Sequence, residues 1–214
     1  MLPAMAGPAV KHLAVRLGVD CGAGRVVGRA RYRAEGGAGG GPLELDVRDL
    51  DVQGCWEVGP GGERGAALEF SVSEPPHKVL GSKLRIPLPA GSAAVEVAFA
   101  PRPSSSALQF LKPEQTAGKV HPFCFTQCQA IHARSFIPCQ DVPGTKMTYT
   151  AAVHCTEGLT ALMGALPREG APEDVAPIGL PEGVTEQQPV FYFEQPVPIS
   201  ACEYMRLRRE GAED

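Results

Sequence analysis

Short runs alternating between apolar and polar residues, each closed by glycine, proline or aspartate, leave this chain little choice but β-structure. Leu13, Val15, Leu17 and Val19 alternate with His12, Ala14, Arg16 and Gly18, which predicts a strand with one buried face. Residues 20–24 (DCGAG) make a turn. Residues 25–33 (RVVGRARYR) return as a second strand with the arginines outward. Leu43, Leu45 and Val47 alternate with Glu44, Asp46 and Arg48 to give a third strand with an acidic outer face. The pattern recurs at 52–58, 68–72, 84–88 and 95–99, with turn residues between the runs, as in an all-β sheet protein. No helix of four turns can be drawn before residue 120. Trp56, the single tryptophan, is expected as a core anchor. Asp46, Asp49 and Asp51 read as a solvated strand edge rather than a metal cluster. The glycine-rich run 36–41 reads as a hairpin tip. Gly22, Gly24 and Gly28 have the wrong spacing for a dinucleotide fingerprint.

Composition narrows the function classes. A chain of 214 residues with 43% hydrophobic and 21% charged residues can furnish a sizeable core. A net charge of −4 argues against a nucleic-acid partner, which needs a concentrated basic stripe. No apolar run is long enough to span a bilayer, so no membrane partner is expected, and the N-terminus lacks the basic region of a signal peptide. Seven cysteines, odd in number and without framework spacing, read as free thiols in a reducing compartment. The chain has no asparagine, so N-glycosylation is impossible. A cytoplasmic location is expected.

The densest run of specific features lies at 121–153. Phe123 and Phe125 alternate with polar or small neighbours as an extended segment. A short turn or helix follows over 130–136 and is stopped by Pro138. Residues 141–144 (DVPG) supply a turn, and 146–153 resume as a strand. Gln127 and Gln129 sit where the first strand ends. Residues two apart on a strand face one side, so both amides can project into one cleft. Further on, Leu159, Leu162, Met163 and Leu166 have helical spacing. Residues 167–189 are acidic, rich in proline and glycine, and read as a surface loop. Residues 190–194 form a strong strand, with Pro196, Val197, Pro198 and Ile199 following it.

The run Thr126-Gln127-x-Gln129, then Ala133-Arg134, then Pro138-Cys139-x-Asp141-x-Pro143-x-x-Lys146, together with 106–116 (SALQFLKPEQT) upstream, resembles the N-terminal domain of the M1-type zinc aminopeptidases. The closer similarity is to the branch of aminopeptidase B and leukotriene A4 hydrolase. The resemblance covers residues 11–201. It implies an all-β, aminopeptidase N-like domain: a curved, saddle-like antiparallel sheet with a second, smaller sheet. It favours an extended path over a helix at 159–166. It implies that Gln129 hydrogen-bonds a peptide substrate near its amino-terminal residue and that Gln127 supports it. Arg134, Pro138, Asp141 and Pro143 are expected to hold the turn that presents the glutamines. Gln129 is expected to be accessible on a concave face, and Cys139 buried.

Zinc in that family is held by H-E-x-x-H. The histidines here are His12, His77, His121, His132 and His154, and none is followed by glutamate. No catalytic residue and no metal ligand is therefore assigned, and zinc is expected only in the full-length family. Cys124, Cys128 and His132 are spaced by four, but on a strand the two cysteines would stand about 13 Å apart. Buried thiols are the expectation, and a Cys128–His132 or Cys128–His154 nucleophile has no visible orienting partner. Residues 1–10 read as an extension. After Ala201 the chain departs from the family into a charged tail, 202–214, where the family has an apolar strand. The reading is a domain that ends before the catalytic one, with peptide as substrate through that absent domain. The tail is expected to be a helical turn or disordered, leaving a sheet edge open to self-association. The alternative is a non-catalytic β-domain acting as a binding or regulatory module.

Overall fold

A long hairpin, β1 (Ala9–Asp20) and β2 (Arg25–Glu35), organises the molecule. Its turn forms where the sequence predicts: Asp20 Oδ1 accepts the Ala23 N–H at 2.9 Å, and Gly24 takes a positive φ of 62° that a side chain would disfavour. The computed structural model describes residues 7–35, 41–75, 77–88, 94–203 and 205–208. Most of the hairpin tip expected at 36–41 lies outside them. After the hairpin come β3 (Leu43–Val47), β4 (Leu50–Val58), β5 (Arg64–Leu68), β6 (Ser71–Val72), β7 (Ser82–Ile86), β8 (Ala94–Pro101) and β9 (Leu108–Leu111). Then come β10 (Phe123–Thr126), β11 (Met147–Cys155), β12 (Thr160–Met163), β13 (Leu166–Arg168), β14 (Val190–Ile199) and β15 (Met205–Arg208). The all-β expectation holds. Residues 159–166 are extended, despite their helical spacing. The run 68–72 splits, with β5 and β6 going to different sheets.

An eight-stranded sheet runs β13-β14-β11-β1-β2-β8-β4-β5, beside a four-stranded sheet β12-β15-β10-β9 and a three-stranded sheet β3-β7-β6. Two small sheets therefore accompany the large one, where a single one was expected. The large sheet is mixed rather than antiparallel, because β1 pairs with β11 in parallel, Leu13 opposite Tyr149 through Val19 opposite Cys155. That central pairing joins residues far apart in sequence, which no local pattern encodes. The tail expectation also changes. β15 inserts between β10 and β12, so part of the tail is a strand, while β13 pairs with β14 only along residues 192–194.

The core lies between the inner face of the large sheet and the smaller sheets. Leu13, Val15, Leu17, Tyr32, Val97, Phe99 and Tyr149 pack against Leu43, Leu45, Leu84, Ile86, Phe136 and Ile137. Tyr32 keeps its hydroxyl satisfied by donating to the Pro138 carbonyl at 2.7 Å. Gly28 lets Phe99 lie flat on the strand: a Cβ there would meet the ring at 2.4 Å.

β1 is buried on both faces, not one. The long segment between β13 and β14 folds over the outer face, where Val175 and Ile178 pack on Ala14 and Ala152. Asp174 pins the segment, accepting from His12 Nε2 at 2.6 Å and Thr150 Oγ1 at 2.9 Å. Burial alone would raise this carboxyl, but the hydrogen bonds from His12 and Thr150 outweigh it and hold Asp174 below its usual value. The arginines of β2 are outward, as expected, but not all of them are exposed. Arg31 is buried, with Nε donating to the fully buried Glu96 at 2.9 Å. Trp56 is half-buried rather than a core anchor: its ring stacks under the Arg64 guanidinium, 4.2 Å from the centroid.

Gly28→Ala is expected to lower the stability measured by urea unfolding by about 1–3 kcal/mol, because the buried Phe99 ring cannot move aside. Gly144→Ala, where nothing lies within 4 Å of the added methyl, should leave it unchanged or slightly raised.

Candidate substrate-binding site

β10 hydrogen-bonds along β9, from Phe123 opposite Leu111 to Thr126 opposite Leu108. One further bond, from the Gln127 N–H to the Ala107 carbonyl at 2.8 Å, ends the ladder. The chain then turns, closed by the His132 N–H on the Cys128 carbonyl at 2.9 Å. A single 3-10 turn follows at Ala133–Ser135. Across the turn, Gln127 and Gln129 are exposed while Cys128 between them is buried. The period-two spacing read from the sequence thus places both amides at the surface. The peptide bond after Gln129 is cis.

One side chain fixes the segment after the glutamines to the body of the domain. Arg134 is 2% exposed, yet its guanidinium has an acceptor on every nitrogen. Nε donates to Asp141 Oδ2 at 3.0 Å, Nη2 to the Asp141 carbonyl at 2.8 Å, and Nη1 to the Leu80 carbonyl at 2.6 Å. Nη1 also lies 3.4 Å from Asp46 Oδ1. Asp141 Oδ2 accepts the Arg134 backbone N–H as well, at 3.1 Å. Asp46 closes the ring, taking the Asp141 N–H on Oδ2 at 3.1 Å and Lys83 Nζ on Oδ1 at 2.7 Å. Burial raises the Asp141 carboxyl above its usual value, although hydrogen bonds from Arg134 pull it down.

Two neighbours extend the anchorage. Gln140 accepts the Val10 N–H at 2.9 Å and donates to the Pro8 carbonyl at 2.8 Å. Backbone bonds join Asp46 and Cys139 in both directions, at 2.7 and 3.2 Å. Arg134 and Asp141 therefore have the holding role expected of them. Asp46 reads as a solvated edge in the sequence and is instead buried at 3% exposure. Its strand alternates normally, and nothing local shows that Arg134, 88 residues away, covers the outward side. Gln140 carries no sequence signal beyond its place inside the motif.

Five of the thiols are unreactive by position, whereas a hydrogen bond with Cys124 lowers Cys21 below its usual value despite burial. Cys139 is buried as expected, and burial raises its thiol well above the usual value. Burial pushes Cys55, Cys128 and Cys155 up to about 12, so none is a thiolate at neutral pH. A hydrogen bond with Cys21, then burial, push Cys124 up. His132 is engaged by serines, with Nε2 2.9 Å from Ser106 Oγ and Nδ1 3.3 Å from Ser135 Oγ. Among the described residues, no three His, Cys, Asp or Glu side chains converge as metal ligands would.

The sequence pattern of the Peptidase M1 N-terminal domain matches residues 11–201. The chain belongs to that family. This M1 domain is 40% identical over 162 residues to leukotriene A-4 hydrolase of Xenopus laevis, covering 73% of this chain and 24% of that one. It is 38% identical over 162 residues to leucine aminopeptidase 2 of Yarrowia lipolytica, covering 74% and 22%. The chain thus spans about a quarter of the length of these curated relatives. Among solved structures, native leukotriene A4 hydrolase of Saccharomyces cerevisiae superposes with a TM-score of 0.74 at 27% identity, over 94% of this chain and 29% of that one. An M1 zinc metallopeptidase of Deinococcus radiodurans shares the fold, with a TM-score of 0.67 at 17% identity, over 95% of this chain and 42% of that one.

Arg134→Met is expected to cost about 3–5 kcal/mol in urea unfolding, because it strands the buried Asp141 carboxylate and leaves Asp46 with Lys83 alone as its cation. Arg85→Met, which removes the exposed pair with Glu44, should cost under about 1 kcal/mol.

Proposed function

We propose that this M1 domain forms one wall of the peptide cleft of an aminopeptidase. Gln129 contacts the substrate near its amino-terminal residue, and Gln127 supports it. The observation that carries the reading is the pair of exposed amides on a turn whose next residues are locked to the core through Arg134. A glutamine carbonyl can accept from a peptide ammonium, while its NH2 donates to a neighbouring carbonyl. Such contacts discriminate substrates only when the backbone presenting them does not give. Similarity to a leucine aminopeptidase supports a peptide as the ligand.

The hydrolytic step belongs to a zinc domain in this reading. The chain contains no H-E-x-x-H, and the thiols of Cys55, Cys124, Cys128, Cys139 and Cys155, held protonated where they lie, do not suit zinc ligation. Zinc supplies an activated water and polarises the scissile carbonyl in such enzymes. The part played by this chain is to bind and orient. The free cysteines fit a reducing compartment, and the proposal places the protein in the cytoplasm.

The reading is tested in a protein that carries this domain ahead of an M1 zinc domain. There Gln129→Ala should lower kcat/KM for aminoacyl-arylamides by about 10–100-fold, the loss of one charge-assisted hydrogen bond. Gln115→Ala, on a separate 3-10 turn, should leave it unchanged. An undiminished kcat/KM in the Gln129 variant would remove the assignment. Zinc-dependent hydrolysis by the 214-residue chain alone would show that it holds a catalytic centre of its own.

A further inference from the structure

The outer face of the large sheet carries positive charge that the acids around it do not match. Arg16 on β1 stands directly opposite Arg29 on β2. Opposed residues of an antiparallel pair share a face, with Cβ atoms about 4.5–5.5 Å apart, and like charges there repel. Arg16 is nine-tenths buried, and its Nε is fully buried with no acceptor. Among the described residues it has neither an ion pair nor a hydrogen bond from its side chain. Among the described residues Arg29 pairs with Glu96, Nη1 3.6 Å from Oε1, and Glu96 is already taken by Arg31 and Arg64.

On the other side of Arg16, the His154 ring is buried with both nitrogens unpartnered among the described residues. Burial and the nearby Arg16 charge hold the imidazole below its usual value, against a smaller opposing pull from Glu186, so it is neutral and its N–H is available to donate. The segment between β13 and β14 closes over this row. Val184 lies so near Gly18 that an added Cβ would meet it at 2.0 Å, and Gly179 lies beside Arg29 Nη1. A cavity of about 260 Å³ opens next to Arg29, lined also by Gln53, Trp56, Pro181 and Glu182. The acids of the segment, Glu182 and Glu186, are exposed, and neither forms an ion pair among the described residues.

We propose that Arg16 and Arg29, under the segment carrying Pro181 and Val184, bind an oxyanion of the phosphate class. A buried guanidinium without a counter-charge is strongly unfavourable. Two guanidinium forks side by side match the several acceptor oxygens of phosphate better than they match water. The neutral His154 supplies a further donor, and the cavity leaves room for whatever the phosphoryl group is attached to. The inference is independent of the proposed peptide cleft, because it uses the outer face of the large sheet, whereas Gln127 and Gln129 follow a strand of the four-stranded sheet.

The experiment is thermal unfolding of the full chain in a phosphate-free, low-salt buffer, with inorganic phosphate and O-phosphoserine titrated separately. The wild-type Tm should rise saturably by several degrees, as for any ligand that binds only the native state. Arg16→Met should melt higher than wild type without anion, because an unmatched charge is gone, and should lose the saturable rise. It should keep only the shallow, linear salt effect common to all proteins. Arg29→Gln should shift the phosphate midpoint at least tenfold upward. A response to O-phosphoserine at lower concentration than to phosphate identifies a phosphoryl group on a larger molecule, and the reverse order identifies the free ion. Identical phosphate curves for wild type and Arg16→Met would overturn the proposal. So would an Arg16→Met variant that melts below wild type in the absence of anion.

Discussion

The guanidinium of Arg134 is the interaction on which the candidate site depends. It joins residues distant in sequence: Asp46 on a strand of the three-stranded sheet, the Leu80 carbonyl before that sheet's middle strand, and Asp141 beyond the turn. A charge this deeply buried is tolerated only when every donor has an acceptor, and here the acceptors come from all three places at once. The consequence is geometric. Residues 134–141 cannot shift without breaking charged hydrogen bonds, so the preceding turn with Gln127 and Gln129 starts from a fixed point. Stability and site geometry are therefore one property in this domain.

The large sheet makes a second, separate demand. Its inner face is apolar and meets the smaller sheets, whereas its outer face carries Arg16, Arg29, Arg31, Glu96 and His154 on successive strands. The segment between β13 and β14 turns this polar face into an interior by laying Val175 and Ile178 on two alanines. Their burial contributes up to about 1.5–3 kcal/mol each, offsetting part of the cost of burying the charges beside them. Glu96 meets that cost with three arginines, while among the described residues Arg16 and His154 stay unmatched. The inner face thus backs the apolar core, while the outer face forms a cationic recess.

The range of each interaction decides how much of this is legible in the sequence. The strand positions are readable because a half-buried strand writes its own period into the sequence, as in Leu13 to Val19. The turn at Asp20, the break at Pro138 and the exposure of Gln127 and Gln129 are equally local. The parallel pairing of β1 with β11 is not readable, since it joins two segments that look alike whether they meet each other or other strands. Asp46 and Arg31 read as surface residues because alternation shows which side faces the main core. It cannot show that a second layer covers the other side. The same limit applies to the loop at 167–189, whose composition suits solvent although Val175 and Ile178 are buried. The strand at 205–208 is hidden by its arginines, which suit an exposed tail as well as a strand paired through its backbone.

The central claim is that the turn carrying Gln127 and Gln129 is mobile only as far as the Arg134 anchor permits. Backbone hydrogen exchange across 127–141 tests it most directly. The amides of Arg134, Cys139 and Asp141 all end on buried acceptors, Asp141 Oδ2, the Asp46 carbonyl and Asp46 Oδ2. They are predicted to exchange only with global unfolding, alongside the amides of β1, while Gln129 and Ala130 exchange rapidly. If Arg134, Cys139 and Asp141 exchange as fast as Gln129, the anchor does not hold the turn and the account of the site fails.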